Sequence, residues 1–195
     1  MNLLKKRAVA IVIAVLVVLM STVLSGSSGL KGAIRDVEML YYEGVEAEEG
    51  HYLRPSIDSQ MRIRHNTVNS MLGILSGYAE LDAAVQQLKT AKDHVYNNLG
   101  NYDRDTIEGM GWANQELETA ITALQLAMEQ VSFPEREKEM LETCLNDLAG
   151  AQRMIEQSGY NEAVREFNTT DMQRFPANML LGLQGKYPDG AAYFG

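Results

Sequence analysis

Apolar side chains recur every three or four residues through most of this 195-residue chain. The longest such run lies between Ser56 and Leu99, and its apolar members are Ile57, Met61, Val68, Met71, Leu72, Leu75, Tyr78, Val85, Leu88 and Val95. This spacing matches the period of an α-helix, whereas the strict alternation typical of a half-buried β-strand is absent. The pattern therefore predicts an all-α protein.

The same pattern divides the chain after residue 29 into four helical segments, each with one apolar face. Their predicted bounds are about 30–53, ended by Arg54 and Pro55; about 56–99; a third segment capped by Asp105; and a fourth that starts at Ser132, Phe133, Pro134 and Glu135 and ends between Thr170 and Pro176. An up-and-down antiparallel bundle of about four long helices buries all four faces. Residues 30–195 are predicted to form this single domain.

The N-terminus carries a basic cluster followed by an uncharged apolar stretch. Lys5, Lys6 and Arg7 precede the stretch Ala8–Leu24, which as a helix reaches ~25 Å, close to the thickness of a hydrocarbon core. Residues 1–29 are therefore predicted to be a membrane anchor and short linker, with the basic end in the cytoplasm and the main domain outside it. Cleavage as a signal peptide after Ser25 is the alternative that the sequence leaves open.

Charge and cysteine content narrow the possible partners. The chain has 17 Lys and Arg against 26 Asp and Glu, and the three basic residues of the N-terminal cluster do not belong to the predicted exported part, whose net charge is then about −12. Such a domain repels nucleic acid, so no nucleic-acid partner is expected. Cys144 is the single cysteine, which excludes an internal disulfide framework and indicates a small apolar core residue.

Catalytic and metal-binding patterns are sparse. The sequence has no HExxH, P-loop or GxSxG motif, and Gly109-Met110-Gly111 has no strand before it, as a dinucleotide-binding turn requires. A di-iron bundle needs two Glu-x-x-His pairs, whereas Glu48 with His51 is the one pair in the sequence. We therefore expect no enzyme, no metal site and no cofactor.

Two groups of residues carry a resemblance to a known family. They are Tyr160-Asn161, Val164, Phe167-Asn168-Thr169, Phe175-Pro176, Asn178 and Tyr193-Phe194 near the C-terminus, and Ile57-Asp58, Gln60-Met61-Arg62, Arg64 and Gly77-Tyr78-Ala79 in the second segment. In these groups the chain resembles the LemA family. It departs from the family pattern at Ile63, Asn69, Ser70 and Gln152, where Arg, Pro, Asn and Glu are usual. The resemblance implies a membrane-anchored, extracytoplasmic helical bundle in a family without an established enzymatic activity.

The segment Tyr160–Asn178 is the candidate interaction region. On a helix Asn161 and Asn168 share one face, and their amides are expected to bond Asp58, Arg64 or a loop carbonyl. Pro176 is expected to end this helix and Phe175 to pack under the end of the bundle. The segment is predicted to be a structural clasp, and a ligand pocket is the alternative.

Three functions fit these observations. The first is a scaffold or adaptor for unknown envelope or membrane proteins, anchored through Ala8–Leu24. The second is a binding module that holds a small molecule or cell-wall fragment in the segment Tyr160–Asn178. The third is a hydrolase of unknown substrate. The absence of recognisable catalytic motifs favours the scaffold.

Overall fold

A computed structural model of the protein describes residues 2–47, 52–101, 104–173 and 190–195. Its helices are α1 (Asn2–Glu43), α2 (Ile57–Leu75), α3 (Asp82–Asn98), α4 (Arg104–Met128), α5 (Glu135–Glu156) and α6 (Tyr160–Glu166), with a 3-10 turn at Ala79–Leu81 and a π-turn at Phe167–Asp171. No β-strand forms in these ranges, where one isolated bridge joins Glu46 to Leu53. The prediction of an all-α fold is confirmed.

The chain divides into two compact units, Met1–Val37 with Arg165–Ala191 and Glu38–Val164 with Ala192–Gly195. The first unit contains most of α1, whose side chains between Ile13 and Val18 are exposed. By length and composition, α1 is the one helix among the described residues that is apolar enough to cross a membrane. Such a helix is compatible with the predicted anchor.

The second unit is a helical bundle. Its α2 packs against α3 and α5, and α3 packs against α4. The predicted apolar faces supply its core, in which Met61, Val68, Met71, Leu88, Val95, Met110, Leu117 and Leu124 have no exposed surface. Full burial of each such side chain is worth about 1.5 to 3 kcal/mol. This burial accounts for the helical periodicity in the sequence.

The first predicted helix differs from the observed one at both ends. It ends at Glu43 instead of near Leu53, because Gly44 adopts a positive φ of 93° that stops the helix. Backbone hydrogen bonds then pair the residues on either side of 48–51, from Ala47 N to Tyr52 O at 3.0 Å and from Arg54 N to Val45 O at 2.9 Å. At its start, α1 already includes the predicted linker residues 26–29.

The other predicted bounds shift at three places. The second segment is interrupted at Ser76–Tyr78 between α2 and the 3-10 turn. The fourth is interrupted before Tyr160, where Gly159 has a φ of 79°. Asp105 lies inside the first turn of α4 instead of capping it, and α5 starts after Pro134 without a side-chain cap. These differences divide two long predicted helices and leave the bundle intact.

Candidate functional site

The backbone of the C-terminal residues is bound by side chains of the helices in the same unit. Asn161, near the start of α6, donates from Nδ2 to the carbonyl oxygen of Phe194 at 2.9 Å. The Phe194 N–H donates in return to Asn161 Oδ1 at 3.0 Å. One amide side chain thus satisfies both polar backbone atoms of a residue 33 positions away.

Ala192 is held in a similar way by two other side chains. Its N–H donates to Glu38 Oε1 at 3.0 Å, and its carbonyl oxygen accepts from the Tyr160 hydroxyl at 2.7 Å. The Glu38 carboxylate is nearly buried and lies 3.8 Å from Arg104 Nη1. The three side chains Glu38, Tyr160 and Asn161, which we call the tail receptor, therefore bind all four polar backbone atoms of Ala192 and Phe194.

The side chains of this tail alternate between the interior and solvent. Ala192 and Phe194 are buried, whereas Tyr193 between them is 42% exposed. The Phe194 ring lies 5.9 Å from the Tyr41 ring, and Tyr41 also makes an edge contact with Tyr160 at 5.9 Å. The tail thus places a small and an aromatic side chain in the interior, with one exposed side chain between them.

Gly111 on α4 permits the close approach of the tail. A Cβ atom at this position would lie 2.6 Å from Gly195 Cα and 3.3 Å from the carbonyl carbon of Phe194. Distances below 3.0 Å between a Cβ and a backbone atom are essentially never tolerated. Gly111 therefore provides room for another part of the backbone, as glycine commonly does.

In the other unit, Asn168 binds Ala191 with the same pair of bonds. Its Nδ2 donates to the Ala191 carbonyl at 2.9 Å, and the Ala191 N–H donates to its Oδ1 at 2.9 Å. Asp58, Arg64 or a loop carbonyl were the partners predicted for Asn161 and Asn168. Among the described residues, both amides bind a backbone carbonyl of the C-terminal segment. Asp58 instead forms an ion pair with Arg62 at 2.8 Å.

Burial shapes the chemistry of the two tyrosines at the receptor. Both Tyr41 and Tyr160 have no exposed surface. Burial, and next to it the negative charge of Asp58 for Tyr41 and of Glu38 for Tyr160, raises the pKa of each phenol well above its ordinary value. The Tyr160 hydroxyl thus remains a donor to Ala192, whereas the Tyr41 hydroxyl has no hydrogen-bond partner among the described residues.

Arg64 lies in a separate buried polar cluster that joins three helices. It donates to Gln152 Oε1 on α5 at 2.7 Å and pairs with the Glu118 carboxylate on α4. Gln152 also accepts from Asn114 at 3.1 Å and donates to Glu156 at 3.0 Å. An amide at position 152 is needed for both roles, since a carboxylate cannot donate.

This cluster is not fully satisfied. Arg64 is completely buried, and burial lowers the pKa of its guanidinium, while the Glu118 carboxylate acts in the opposite direction. Within the described ranges, Arg64 Nε and Asn114 Oδ1 have no hydrogen-bond partner. The two connections of Arg64 nevertheless fix the positions of α2, α4 and α5 relative to one another.

Two of the concave regions on the surface of the bundle involve α3. One, of about 310 Å³ between α3 and α4, is lined by Gln87, Thr90, Ala91, His94, Glu116 and Thr119. The other, of about 510 Å³ between α2 and α3, is lined by Arg62, His65, Asn66, Tyr96, Asn97 and Leu99. Neither includes a residue of the predicted interaction region.

Some of the predicted residues lie outside the part of the chain that the structure describes. Phe175, Pro176 and Asn178 lie outside the described residues, as do Glu48 and His51. Across 2–47, 52–101, 104–173 and 190–195, no group of three or more His, Cys, Asp and Glu side chains is placed to hold a metal ion. Among the predicted site residues, the structure gives side-chain contacts for Tyr160, Asn161, Asn168, Asp58 and Arg64.

Sequence reasoning missed Glu38, Tyr41 and Gly111. Glu38 and Tyr41 lie in a helix whose acidic and apolar residues look ordinary for a solvated amphipathic helix. Gly111 carried a signal, because a glycine inside a helix costs about 1 kcal/mol relative to alanine and often marks a close backbone contact. Its partner, however, is 84 positions away and has no local signature.

Comparison with known proteins places the chain in a family. The model of the LemA family matches residues 54–194. The protein belongs to the LemA family. The matched range includes Gly111, Tyr160, Asn161 and Phe194, whereas Glu38 and Tyr41 precede it. No curated protein and no solved structure matches the chain.

Proposed function

We propose that this LemA protein is a non-enzymatic scaffold or adaptor, anchored in a membrane by α1, whose main domain lies outside the cytoplasm and binds envelope or membrane proteins. The observation that carries the proposal is a difference between its polar and its apolar side chains. The polar groups that resemble a site, Tyr160, Asn161 and Arg64, are bonded within the chain. Large apolar side chains remain exposed on the helices instead.

Two of these side chains lie on α4. Trp112 is 72% exposed and Leu126 is 62% exposed. They are 14 positions apart, which places them within about 40° of each other around the helix, at the 100° per residue of α-helical geometry. Thr119 lies between them and borders the concave region of 310 Å³. An exposed Trp is typical of a protein-docking surface, because Trp is enriched among the residues that dominate binding energy.

Charge supports the proposed orientation and the type of partner. Lys5, Lys6 and Arg7 precede α1's apolar stretch, and basic residues favour the cytoplasmic side. The remainder of the chain is strongly acidic. A partner with a basic rim around an apolar patch complements this surface and is steered toward it.

The test is crosslinking of the full chain in cells, followed by identification of its partners. We expect Trp112→Ala to reduce recovery of the principal partner about 10-fold or more, in line with the loss of a dominant contact. Tyr52→Ala is the matched control, since Tyr52 is an aromatic residue of the same unit that is 60% exposed. Recovery that is reproducible but independent of Trp112 would contradict the proposed docking surface, and no reproducible partner would contradict the scaffold itself.

A binding module for a small molecule or cell-wall fragment is the second candidate. One observation favours it, namely the concave region of 510 Å³ in which the His65 ring stacks on the Tyr96 ring at 5.5 Å. Aromatic and amide side chains in one concavity can pack on a ligand and hydrogen-bond to it. Tyr96→Ala should then abolish binding of purified cell-wall fragments, as measured by calorimetry, whereas Trp112→Ala should not.

A further inference from the structure

A groove of about 500 Å³ lies between the C-terminal end of α4 and the first half of α5. Its apolar lining comes from both helices and from the turn that joins them, and consists of Met128, Val131, Phe133, Leu141 and Leu145. Leu141 is buried, whereas the other four side chains are half-buried. Since α4 packs against α3 and α5 against α2, space remains between α4 and α5 at this end. The groove therefore exposes apolar surface that the bundle does not cover.

Contacts within the bundle fix the walls of this groove. The Phe133 ring packs on the Tyr78 ring with 4.7 Å between their centroids, and the Tyr78 hydroxyl donates to the Glu137 carboxylate. At the start of the turn, Val131 N donates to Met128 O at 3.1 Å. A groove that is already formed loses little conformational freedom when a partner binds to it. Apolar grooves of this kind bind the apolar face of an amphipathic helix.

Carboxylates lie beside the apolar lining. Glu129, Glu135 and Glu142 line the groove together with one basic residue, Lys138. Lys138 pairs with Glu142 at 4.0 Å, whereas Glu129 and Glu135 form no hydrogen bond or ion pair with any residue that the structure describes. The charge of the groove thus complements a partner that carries Lys or Arg next to apolar side chains.

Glu129 is also placed where a negative charge is unfavourable. It follows Met128, the last residue of α4, and the last turn of this helix contains no basic residue. The carbonyl end of a helix carries a partial negative charge, which repels a carboxylate and attracts a cation. A basic group of a partner beside Glu129 would therefore reduce this repulsion.

We infer that the groove between α4 and α5 binds an amphipathic helical segment of another protein, with its apolar side chains in the groove and its Lys or Arg side chains beside Glu129 and Glu135. Met128 is 16 positions after Trp112, which places it about 160° around α4 at 100° per residue. The groove is thus a different surface from the one proposed around Trp112. The inference rests on the proposed scaffold function for the kind of partner, a protein, and adds the chemistry of the segment that is bound.

A labelled model peptide tests the groove, with the full chain held in nanodiscs of zwitterionic lipid and empty nanodiscs as background. The peptide consists of Leu, Lys and Ala, with Leu at the spacing i, i+3, i+4 and i+7 that gives a helix one apolar face. A scrambled peptide of the same composition lacks this face. Fluorescence anisotropy of the label measures the Kd of each peptide.

Matched variants of the full chain locate the binding. Glu129→Lys and Glu135→Lys each reverse one carboxylate of the groove, and Met128→Ser removes part of its apolar lining. Glu162→Lys is the control, because Glu162 is an exposed carboxylate of α6 that does not line the groove. Lys is favourable at the end of a helix, so Glu129→Lys should melt at a higher temperature than the parent protein while it loses the peptide. Such a change separates loss of binding from loss of folding.

We expect the amphipathic peptide to bind about 10-fold or more tightly than the scrambled one, because its apolar face fills the groove. Glu129→Lys, Glu135→Lys and Met128→Ser should each raise its Kd about 5-fold or more, and Glu162→Lys should change it less than about 2-fold. Equal affinity for the two peptides, or an equal loss with Glu162→Lys, would show general attraction to an acidic domain and would overturn the inference. Absence of measurable binding would overturn it as well.

Two further measurements separate this groove from other occupants and from the surface around Trp112. Self-association of the full chain without peptide, abolished by Met128→Ser, would assign the groove to a second copy and contradict the inference. Trp112→Ala should leave the Kd of the peptide unchanged, because Trp112 does not line the groove. Capture of partners through Trp112 can therefore fail while the groove binds its peptide, and the two failures are distinguishable.

Discussion

Two tyrosines at the tail receptor are equally buried, but only one of their hydroxyl groups forms a hydrogen bond. Tyr41 and Tyr160 both have no exposed surface, but the Tyr160 hydroxyl donates to Ala192 and the Tyr41 hydroxyl has no partner among the described residues. A buried hydroxyl without a partner costs free energy, whereas a bonded one contributes to stability. The pair therefore separates the contribution of ring packing from that of the hydrogen bond.

We predict that Tyr160→Phe lowers the free energy of unfolding by about 1 to 3 kcal/mol, because it leaves the buried Ala192 carbonyl unsatisfied. Tyr41→Phe removes only the unpartnered hydroxyl and is expected to be neutral or slightly stabilising. Thermal melts measure the difference, since 1 kcal/mol shifts the melting temperature of a domain of this size by about 2 to 4 °C. Equal melting temperatures for the two variants would contradict the assigned hydrogen bond.

The same residues predict how stability depends on pH. Burial raises the pKa of Tyr41 and Tyr160, so the folded protein retains two protons that the unfolded chain releases above about pH 10. The stability that these two protonated phenols contribute is complete below that pH. Above it, the free energy of unfolding falls as pH rises, by up to about 1.4 kcal/mol per pH unit for each tyrosine. Urea unfolding between pH 9 and 11 should therefore show a fall in the free energy of unfolding that is about 1.4 kcal/mol smaller over this range in Tyr41→Phe. An unchanged fall would contradict the burial of this phenol.

At the scale of the helices, apolar periodicity predicted which segments are helical but not where they break. The period through Val68, Leu72 and Leu75 continues past Tyr78 without a gap, so it contains no sign of the interruption at Ser76–Tyr78. The breaks at Gly44 and Gly159 depend on positive φ angles that glycine permits but does not require. Tertiary packing decides which glycines adopt them.

Arg64 joins α2, α4 and α5, and its contribution to the free energy of unfolding can be measured. We predict that Arg64→Met changes the free energy of unfolding by less than about 1 kcal/mol, because Met fills the same space. The Glu118 carboxylate that loses its partner is 43% exposed, and Gln152 Oε1 keeps the bond from Asn114. Arg64→Ala leaves a cavity and should cost about 2 to 5 kcal/mol in chemical denaturation.

Arg62→Met is the control for removal of a positive charge from the same helix. Arg62 pairs with Asp58 at the surface, and its side chain is 48% exposed. Exposed pairs of this kind are worth no more than about 1 kcal/mol, so this variant should melt close to the parent protein. If Arg64→Met is as unstable as Arg64→Ala, the guanidinium charge and not its volume holds the three helices together.

At the scale of the whole molecule, the sequence predicted the residues of the tail contact better than their partners. Asn161 and Asn168 stood out because Asn is unfavourable inside a helix unless its amide is used. Their partners, Phe194 and Ala191, are 33 and 23 positions away. A contact of that kind depends on how the chain returns to the bundle, for which no local pattern exists. Glu38, which is 154 positions from Ala192, was missed for the same reason.

By length and composition α1 could cross a membrane, and the proposed function requires that it does so. We expect the full chain to remain in the membrane fraction after an alkaline carbonate wash, and protease added to intact protoplasts to degrade all but the extreme N-terminus. Val17→Arg is the informative variant, because Val17 is in the apolar part of α1 with its side chain 59% exposed. A charge at the centre of a spanning helix costs about 2.5 to 3.5 kcal/mol, so this variant should be released by the wash in a larger fraction.

Alkaline conditions also separate anchoring from folding. The buried tyrosines weaken the folded state above about pH 10, whereas an apolar helix in a bilayer has no group between Ala8 and Leu24 that titrates. Retention in carbonate therefore reports α1 and not the bundle. Recovery of a soluble protein beginning near Gly26 would show instead that the apolar stretch is a cleaved signal.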